Sequence, residues 1–371
     1  MITVLVIGLI TLGLFLAQRE LYHRYWNLRV YASVAFESDG IACGEPSAVI
    51  EVVENRKALP LPMIKVKFQT SRELHFTSGK GSRITDRYYR NDVFHLKGYE
   101  KITRRVEFVA ARRGFYEIKE MDLVGSDLFM SDQFVSALPV DTGLIVYPRE
   151  RAFPSLDHVF VSLLGMQSSR RSLVDDPFSF RGLRTYQPGD SERLVNWRAS
   201  ARTEELLVNQ REYVSTRPVH LYLNLLDDGI LKHEDWAEDM ISAASYLAGR
   251  FYRNGTRISL DSNACDCFRH ATIHLSSDRM PDYEELQSML ALIDLNEVRP
   301  VDFAFDEHIF AEDSDELPCF LSLHLQPEFE KLLMHGVSGG HSFLLILPSA
   351  RGENLTIPPD LEPFVRYLYE T

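Results

Sequence analysis

The sequence predicts a chain in three parts: an N-terminal membrane helix, a β-sandwich of immunoglobulin type, and an α/β unit built on an open, mainly parallel sheet. Three observations carry this. Residues 2–17 hold no charge; residues 28–148 alternate apolar and polar side chains; and after Arg217-Pro218 that alternation gives way to short apolar strands separated by helix-patterned stretches. At 371 residues the chain suits two domains and an anchor. The expected division is 1–18 anchor, 28–148 sandwich, 149–217 connector and 218–371 α/β unit.

The apolar run ITVLVIGLITLGLFLA is followed at once by Gln18, Arg19 and Glu20, then by His23, Arg24, Tyr25 and Trp26. A span takes about 20 apolar residues with a lower limit of about 17, so the run is short but usable when flanking aromatics sit at the interface. No Lys or Arg precedes it and no small-x-small cleavage site follows, which favours an anchor over a cleaved signal peptide. The basic residues lie on its C-terminal side, which places the body of the protein in the cytoplasm.

The runs VYASVAFE, SAVIEVVEN, MIKVKFQT, FHLKGYEKITRRVEFVAARRGFYEI, MDLVGSDLF and GLIVYP read as six or seven antiparallel strands. Arg104, Arg105, Arg112 and Arg113 lie among them, and on a chain of net charge -13 they mark a solvated face. The same charge argues against a nucleic-acid partner held through phosphates. Cys43, Cys265, Cys267 and Cys319 are too scattered for a disulfide framework or a structural zinc site and read as reduced thiols.

In the connector, residues 168–172 (SSRRS) read as a mobile loop. Beyond it, VHLYLNL is a buried strand. Residues 233–253 form a helix with Trp236, Met240, Ala244, Leu247 and Phe251 on one face. Strands GTRISLDS and FRHATIHLS come next, then a helix over 281–293, strand PCFLSLHL, a helix over 326–335, strand SFLLILP and a short helix near 361–369. Alternation of this kind implies right-handed crossovers over a sheet covered on both faces.

Ligands of such sheets sit beyond the carboxyl ends of the strands. A von Willebrand factor A domain has Asp-x-Ser-x-Ser there, whose hard oxygens suit Mg²⁺. Here the triplet positions are Asn224, Leu226 and Asp228; Leu226 cannot ligate and Asn224 brings no charge, so this degenerate site predicts no metal, and no cofactor is expected elsewhere. Phosphate-loop, HExxH and GxSxG patterns are missing, and Gly79-Lys80-Gly81-Ser82 lacks phosphate-loop spacing. His270 and His274, on a strand-like segment, are too far apart for a chelate. What remains is the Arg-rich stretch 178–212, with Arg181, Arg184, Asp190, Arg193, Trp197 and Arg202 as candidate residues. They read first as an ion-pair network fixing the junction before the α/β unit, and second as a docking surface whose Arg forks recognise carboxylate or phosphate.

The run Arg181-Gly182-Leu183-Arg184-x-Tyr186-x-Pro188-Gly189-Asp190-x-x-Arg193-x-x-Asn196-Trp197-x-Ala199-Ser200-Ala201-Arg202, with Glu205-Leu206 and Glu212, resembles the signature of the bacterial "domain of unknown function 58" family. Arg113-Gly114-x-Tyr116, Asp127-Leu128-Phe129 and Val146-Tyr147-Pro148-Arg149 extend the resemblance along nearly the whole chain. It implies a membrane-anchored bacterial protein with a von Willebrand factor A-like C-terminal domain, working with a MoxR-type AAA+ ATPase in the assembly or maturation of other proteins. Two departures stand out: family members often have two membrane helices where this chain has one, and the Asp-rich end of the first α/β strand is eroded to Asn224-Leu225-Leu226-Asp227-Asp228. The expected function is a non-enzymatic adaptor in the inner membrane, its soluble domains cytoplasmic, its partner the ATPase or a client. The alternatives are a divergent hydrolase using Asp190 or Asp228 with a nearby His, and a periplasmic adhesion-like module. A C-terminal alkaline phosphatase fusion is accordingly expected to be inactive and a C-terminal fluorescent-protein fusion bright; the reverse pattern would overturn the cytoplasmic placement.

Overall fold

The structure is a computed structural model describing residues 2–77, 82–84, 87–169, 180–185, 200, 202, 205–211, 217–227, 229, 233–276, 282–301, 305, 307–311, 316–349 and 357–369. It divides into two compact units, residues 1–150 with 287–292, and residues 151–286 with 293–371.

The first unit begins with helix α1, Ile2–Tyr25, whose 24 residues reach about 36 Å at 1.5 Å per residue. Its best window has mean hydropathy 2.0 and none of it is buried, so the helix is long and apolar enough to cross a bilayer. The polar end is held differently. Tyr22 and Trp26 are buried, and Tyr22 OH donates to Pro60 O at 2.9 Å. Gln18 Nε2 donates to Asp127 Oδ2 at 3.0 Å, Arg19 pairs with Asp132, and Lys57 Nζ donates to the carbonyls of Trp26 and Leu28 at 2.6 and 2.9 Å. The Trp26 ring lies against Phe134 and over Gly125, where any Cβ would run into the indole.

Among the described residues of this unit, strands β1 Val30–Phe36, β2 Gly40–Ala42, β3 Pro46–Asn55, β4 Leu61–Ser71, β5 Leu74–Phe76, β6 Ser82–Ile84, β7 Arg87–Leu96, β8 Lys101–Ala110, β9 Gly114–Ser126 and β10 Gln133–Tyr147 build two sheets. Their orders are β1-β3-β8-β5 and β2-β10-β9-β4-β7-β6, all pairs antiparallel except β2 with β10. Alternation is the cause. On β8, Val106, Phe108 and Ala110 turn inward while Arg105 and Glu107 face water, and the inward residues of both sheets share one core with Trp26, Val49, Ile64, Phe68, Phe94 and Leu144. The three-residue strands β2, β5 and β6 are too short to show a period, so the alternating runs undercount the sandwich. Of the arginines expected on a solvated face, Arg105 pairs with Glu37 at 2.7 Å in the open and Arg104 lies 4.1 Å over the Phe94 ring, but Arg113 is buried.

The second unit begins earlier than the helix-patterned sequence suggests. Residues 154–169 of the expected connector form helix α2, Pro154–Ser169, so Ser168 and Ser169 are helical; residues 170–172 of the expected loop lie outside the described residues. The helix is apolar on one side: Leu156, Val159, Phe160 and Leu163 are buried, and Phe160 meets Phe251 at 4.9 Å. A separate hairpin pairs β11, Phe180–Thr185, with β12, Leu207–Arg211.

The large sheet takes β13 Val219–Asn224, β14 Ile258–Asp266, β15 Thr272–Leu275, β16 Ile293–Val298, β17 Leu317–Ser322, β18 Leu344–Ser349 and β19 Val365–Tyr369, in the order β15-β14-β13-β17-β18-β19 with β16 also beside β14. The pairs from β14 through β19 are parallel, and β15 and β16 run antiparallel to β14. Helices α3 Glu234–Arg253, α4 Tyr283–Ala291 and α5 Pro327–Ser338 connect them. Both β13 and β17 are buried at every position, as a strand covered on both faces must be.

The helix expected near 361–369 is a strand. Leu361, Val365 and Leu368 are buried with the spacing of a helix face, but after the 3₁₀ turn Glu362–Phe364 the chain pairs in parallel with β18, whose other edge would otherwise carry open backbone groups. Likewise the helix expected to run to residue 293 stops at Ala291, and Ile293–Val298 pairs with β14.

One buried charge cluster makes the sandwich pH-sensitive. Asp92 is held by Arg90 Nε at 2.9 Å and Arg104 Nη1 at 3.1 Å, while burial, with Asp92 alongside, pushes the neighbouring Glu51 carboxyl up to about 8. An ordinary Glu titrates near 4.3. The folded value is the higher one, so the contribution of Glu51 to stability is fully present below about pH 4 and is lost as pH rises through about 8. Glu51→Gln, which cannot ionise, is expected to melt like the parent near pH 4 and above it at pH 9; equal melting temperatures at both would show that Glu51 is charged in the fold.

Candidate functional site

Sequential strands run from β13 out to β15 on one side and from β17 to β19 on the other, so the order reverses between β13 and β17. Beyond the carboxyl ends of these two strands is where an open α/β sheet exposes a crevice. Their last residues, Asn224 and Ser322, are in register and both fully buried.

Asn224 organises this end. Its Nδ2 donates to Ser322 Oγ at 2.8 Å and Gln326 Oε1 at 2.9 Å, and its Oδ1 accepts from Asn263 Nδ2 at 2.8 Å and the Leu226 N–H at 3.2 Å. Asn263 Oδ1 accepts from the Leu225 N–H at 2.8 Å, Gln326 Nε2 donates to Leu226 O at 2.8 Å, and Ser322 Oγ donates to His324 O at 2.6 Å. The backbone groups freed where the strands end are thus taken up by amide side chains, and the loops after β13 and β17 are tied to each other.

On this platform three side chains converge. Asp227 follows β13, His324 follows β17, and His233 is the residue before α3. His324 Nε2 lies 3.1 Å from Asp227 Oδ1, His233 Nδ1 lies 3.6 Å from Asp227 Oδ2, and the three donor atoms all fall within 4.8 Å of one another. The His233 ring stacks on Trp236, with centroids 4.5 Å apart. Burial works against the charge on Asp227, but the N–H groups of His233 at 2.6 Å and Gly229 at 3.0 Å, with His324 beside them, hold its pKa below the ordinary carboxylate value. A cavity of about 100 Å³ adjoins the cluster, lined among others by Asp227, His233, Glu234 and Asn296.

A second histidine cluster lies at the amino end of the same strands and is chemically closed. His220 Nε2 is 2.9 Å from Asp261 and its Nδ1 faces Glu316 and Tyr222 OH, while its ring stacks on Tyr222 at 3.9 Å. Burial pulls the His220 pKa down, yet the bonds to Asp261 and Glu316 outweigh it and raise it above the ordinary value.

Of the degenerate triplet, Asn224 is consumed by the network and Leu226 is half-buried and held through its backbone. Asp228 lies outside the described residues, as do Asp190, Arg193 and Trp197. Arg181 and Arg184 stand on β11, Arg184 opposite Val208 and Arg181 at a register shift, and Arg202 is exposed. Among the described residues, the groups that meet at Asp227 are His233, His324 and the Gly229 N–H, and Arg202 is not one of them. The sequence reading missed that cluster because its members are 6 and 91 residues apart and His324 sat inside a run read as strand; β17 stops at Ser322, leaving His324 in the loop.

By sequence, no family model matches the chain and no curated protein matches it. Solved structures with partial likeness include the sixth cohesin of scaffoldin B from Acetivibrio cellulolyticus, in complex with a dockerin (9% identity, 31% of this chain, 98% of that one, TM-score 0.21). A non-cellulosomal cohesin from Archaeoglobus fulgidus (10%, 34% and 96%, TM-score 0.20) and a CARDB domain from Pyrococcus furiosus in complex with di-metal ions (14%, 31% and 94%, TM-score 0.20) are similar to it in the same degree. At such TM-scores the strand pairing described above, and not these likenesses, defines the fold.

Asn224→Ala is expected to destabilise the second unit by about 3 kcal/mol, because buried partners left unpaired cost about 1–3 kcal/mol each. Chemical denaturation measures this, and a change below about 0.5 kcal/mol, the range of surface substitutions, would show that the network does not hold the two loops.

Proposed function

We propose that the chain is a membrane-anchored, non-enzymatic interaction protein of the inner membrane, with an immunoglobulin-type sandwich and a von Willebrand factor A-like α/β unit, acting with a MoxR-type AAA+ ATPase or its client. The observation that carries the membrane part is α1, no part of whose apolar window is buried, yet which is bound to the sandwich at its polar end through Gln18, Arg19 and Tyr22. A free tail would lack the second half of that description. The tip between β9 and β10 supports it: Leu128, Phe129 and Met130 are exposed, and the Phe129 ring lies 5.7 Å from Phe15, inside the apolar run. A hydrocarbon or interfacial environment around Phe15 would cover Phe129 as well.

The partner-binding part rests on the α/β unit. The strand order, reversing beside a central β13 with an antiparallel β15 at one edge, supports the von Willebrand factor A-like reading. Its carboxyl end offers a preorganised polar platform as the contact surface. The ATPase comes from the family resemblance of residues 181–212.

Affinity capture of the full-length chain from detergent extracts, with ATP and Mg²⁺ present, is expected to recover a MoxR-type ATPase. Charge reversal of the exposed Arg202 (Arg202→Glu) is expected to reduce the recovery if the Arg-rich segment docks the partner. Capture that never contains an AAA+ ATPase would overturn the partner assignment.

A further inference from the structure

We infer that Asp227, His233 and His324 bind one divalent transition-metal ion of the Zn²⁺ class, with a further coordination position turned to the adjoining cavity. The inference rests on the Proposed function only for its place on the sheet, since the ion needs no partner to bind.

Four observations carry it. The donor set is two imidazoles and one carboxylate, which suits Zn²⁺, Co²⁺ or Fe²⁺ and disfavours the hard, oxygen-seeking Mg²⁺ and Ca²⁺. Two of the three separations fit, and the third is within 4.8 Å. Ligand atoms about 2.0–2.2 Å from a tetrahedral ion lie about 3.3 Å apart, and the 3.1 Å and 3.6 Å distances from the Asp227 carboxylate to His324 Nε2 and His233 Nδ1 bracket that value. Third, among the described residues His233 Nδ1 is buried without a hydrogen-bond partner, and the Asp227 carboxylate lies 3.6 Å from it. A buried polar nitrogen left open asks for an explanation, and an ion shared with Asp227 supplies one. His220, by contrast, has both ring nitrogens engaged and leaves no room for an ion.

The fourth observation is the support beneath the ligands. Ser322 Oγ holds the His324 carbonyl, Gln326 bridges Asn224 to Leu226 just before Asp227, and Trp236 fixes the His233 plane. Ligands positioned by such partners lose little entropy on binding.

The test uses the purified full-length chain in nanodiscs, stripped with a chelator and titrated with Co²⁺, then with Zn²⁺ in competition. A single equivalent of Co²⁺ is expected to give visible d–d bands without the near-ultraviolet band of thiolate ligation. His324→Gln and His233→Gln are each expected to weaken binding by at least about tenfold, and Cys267→Ser to leave it unchanged. His233→Gln is the safeguard should His324→Gln fold poorly, because His233 is the more exposed ring. The inference is overturned if no ion binds at micromolar concentration, if a thiolate band appears, or if both histidine variants bind like the parent. Because no partner is present, a negative result leaves the ATPase capture experiment standing, and a failed capture leaves the metal titration standing.

Discussion

The α/β unit depends on how a parallel sheet ends. Each central strand stops with backbone donors and acceptors pointing past the last ladder bond, in a place where Asn224 and Ser322 are fully buried. Here amide side chains complete the ladder. Asn224 and Asn263 use both ends of their amides, one side chain serving two loops at once, and Gln326 closes the circuit from the start of α5. A hydroxyl could make one or two of these bonds; only an amide makes donor and acceptor contacts in opposite directions from a fixed plane. This accounts for an Asn where a carboxylate would otherwise stand. A charge at position 224, fully buried and facing the acceptor oxygen of Gln326, would be uncompensated.

The same accounting separates what was legible in the sequence from what was not. Strand Val219–Asn224 and helices Glu234–Arg253 and Pro327–Ser338 were visible because a buried strand is continuously apolar and these helices keep one apolar face. Val365–Tyr369 was not, since Leu361, Val365 and Leu368 carry helical spacing and only the free edge of β18 decides against it. Tertiary pairing overrode a local period. The Asp227 cluster was invisible for a different reason: its members come from two loops, after β13 and after β17, and sequence periodicity says nothing about which loops meet. The available signal was topological, two polar residues just beyond two apolar strands, and it needed the end of β17 placed at Ser322 to be read. The Arg-rich stretch 178–212 was the strongest sequence feature, and the structure describes only parts of it, the hairpin β11–β12 among them.

In the first unit, attachment of the helix is a problem of hydrogen bonds at an interface. Gln18 is the first polar residue after the apolar run, and its amide both donates to the Asp127 carboxylate and accepts from the Leu128 N–H. Asp127 in turn accepts from Ser131 Oγ at 2.6 Å and the Asp132 N–H at 3.1 Å. One carboxylate therefore fixes the β9–β10 turn and the helix together, and the apolar tip Leu128-Phe129-Met130 is carried at the level of Phe15 as a result. Glycine at position 125 is part of the same fit, since Trp26 occupies the space a side chain would take.

The two ends of the large sheet show opposite uses of histidine. At the amino end His220 is enclosed by Asp261 and Glu316, whose bonds raise its pKa against burial, and it ties β13, β14 and the residue before β17, while Asp261 also meets His274 and Glu316 also accepts from Ser259 Oγ. At the carboxyl end the single acid, Asp227, already accepts from the backbone N–H groups of His233 and Gly229, and two imidazole rings, 6.1 Å apart, stand beside it. Neutral imidazole is the form that coordinates metal. Two carboxylates around one histidine make a structural lock, whereas two histidines around one carboxylate make an open donor set.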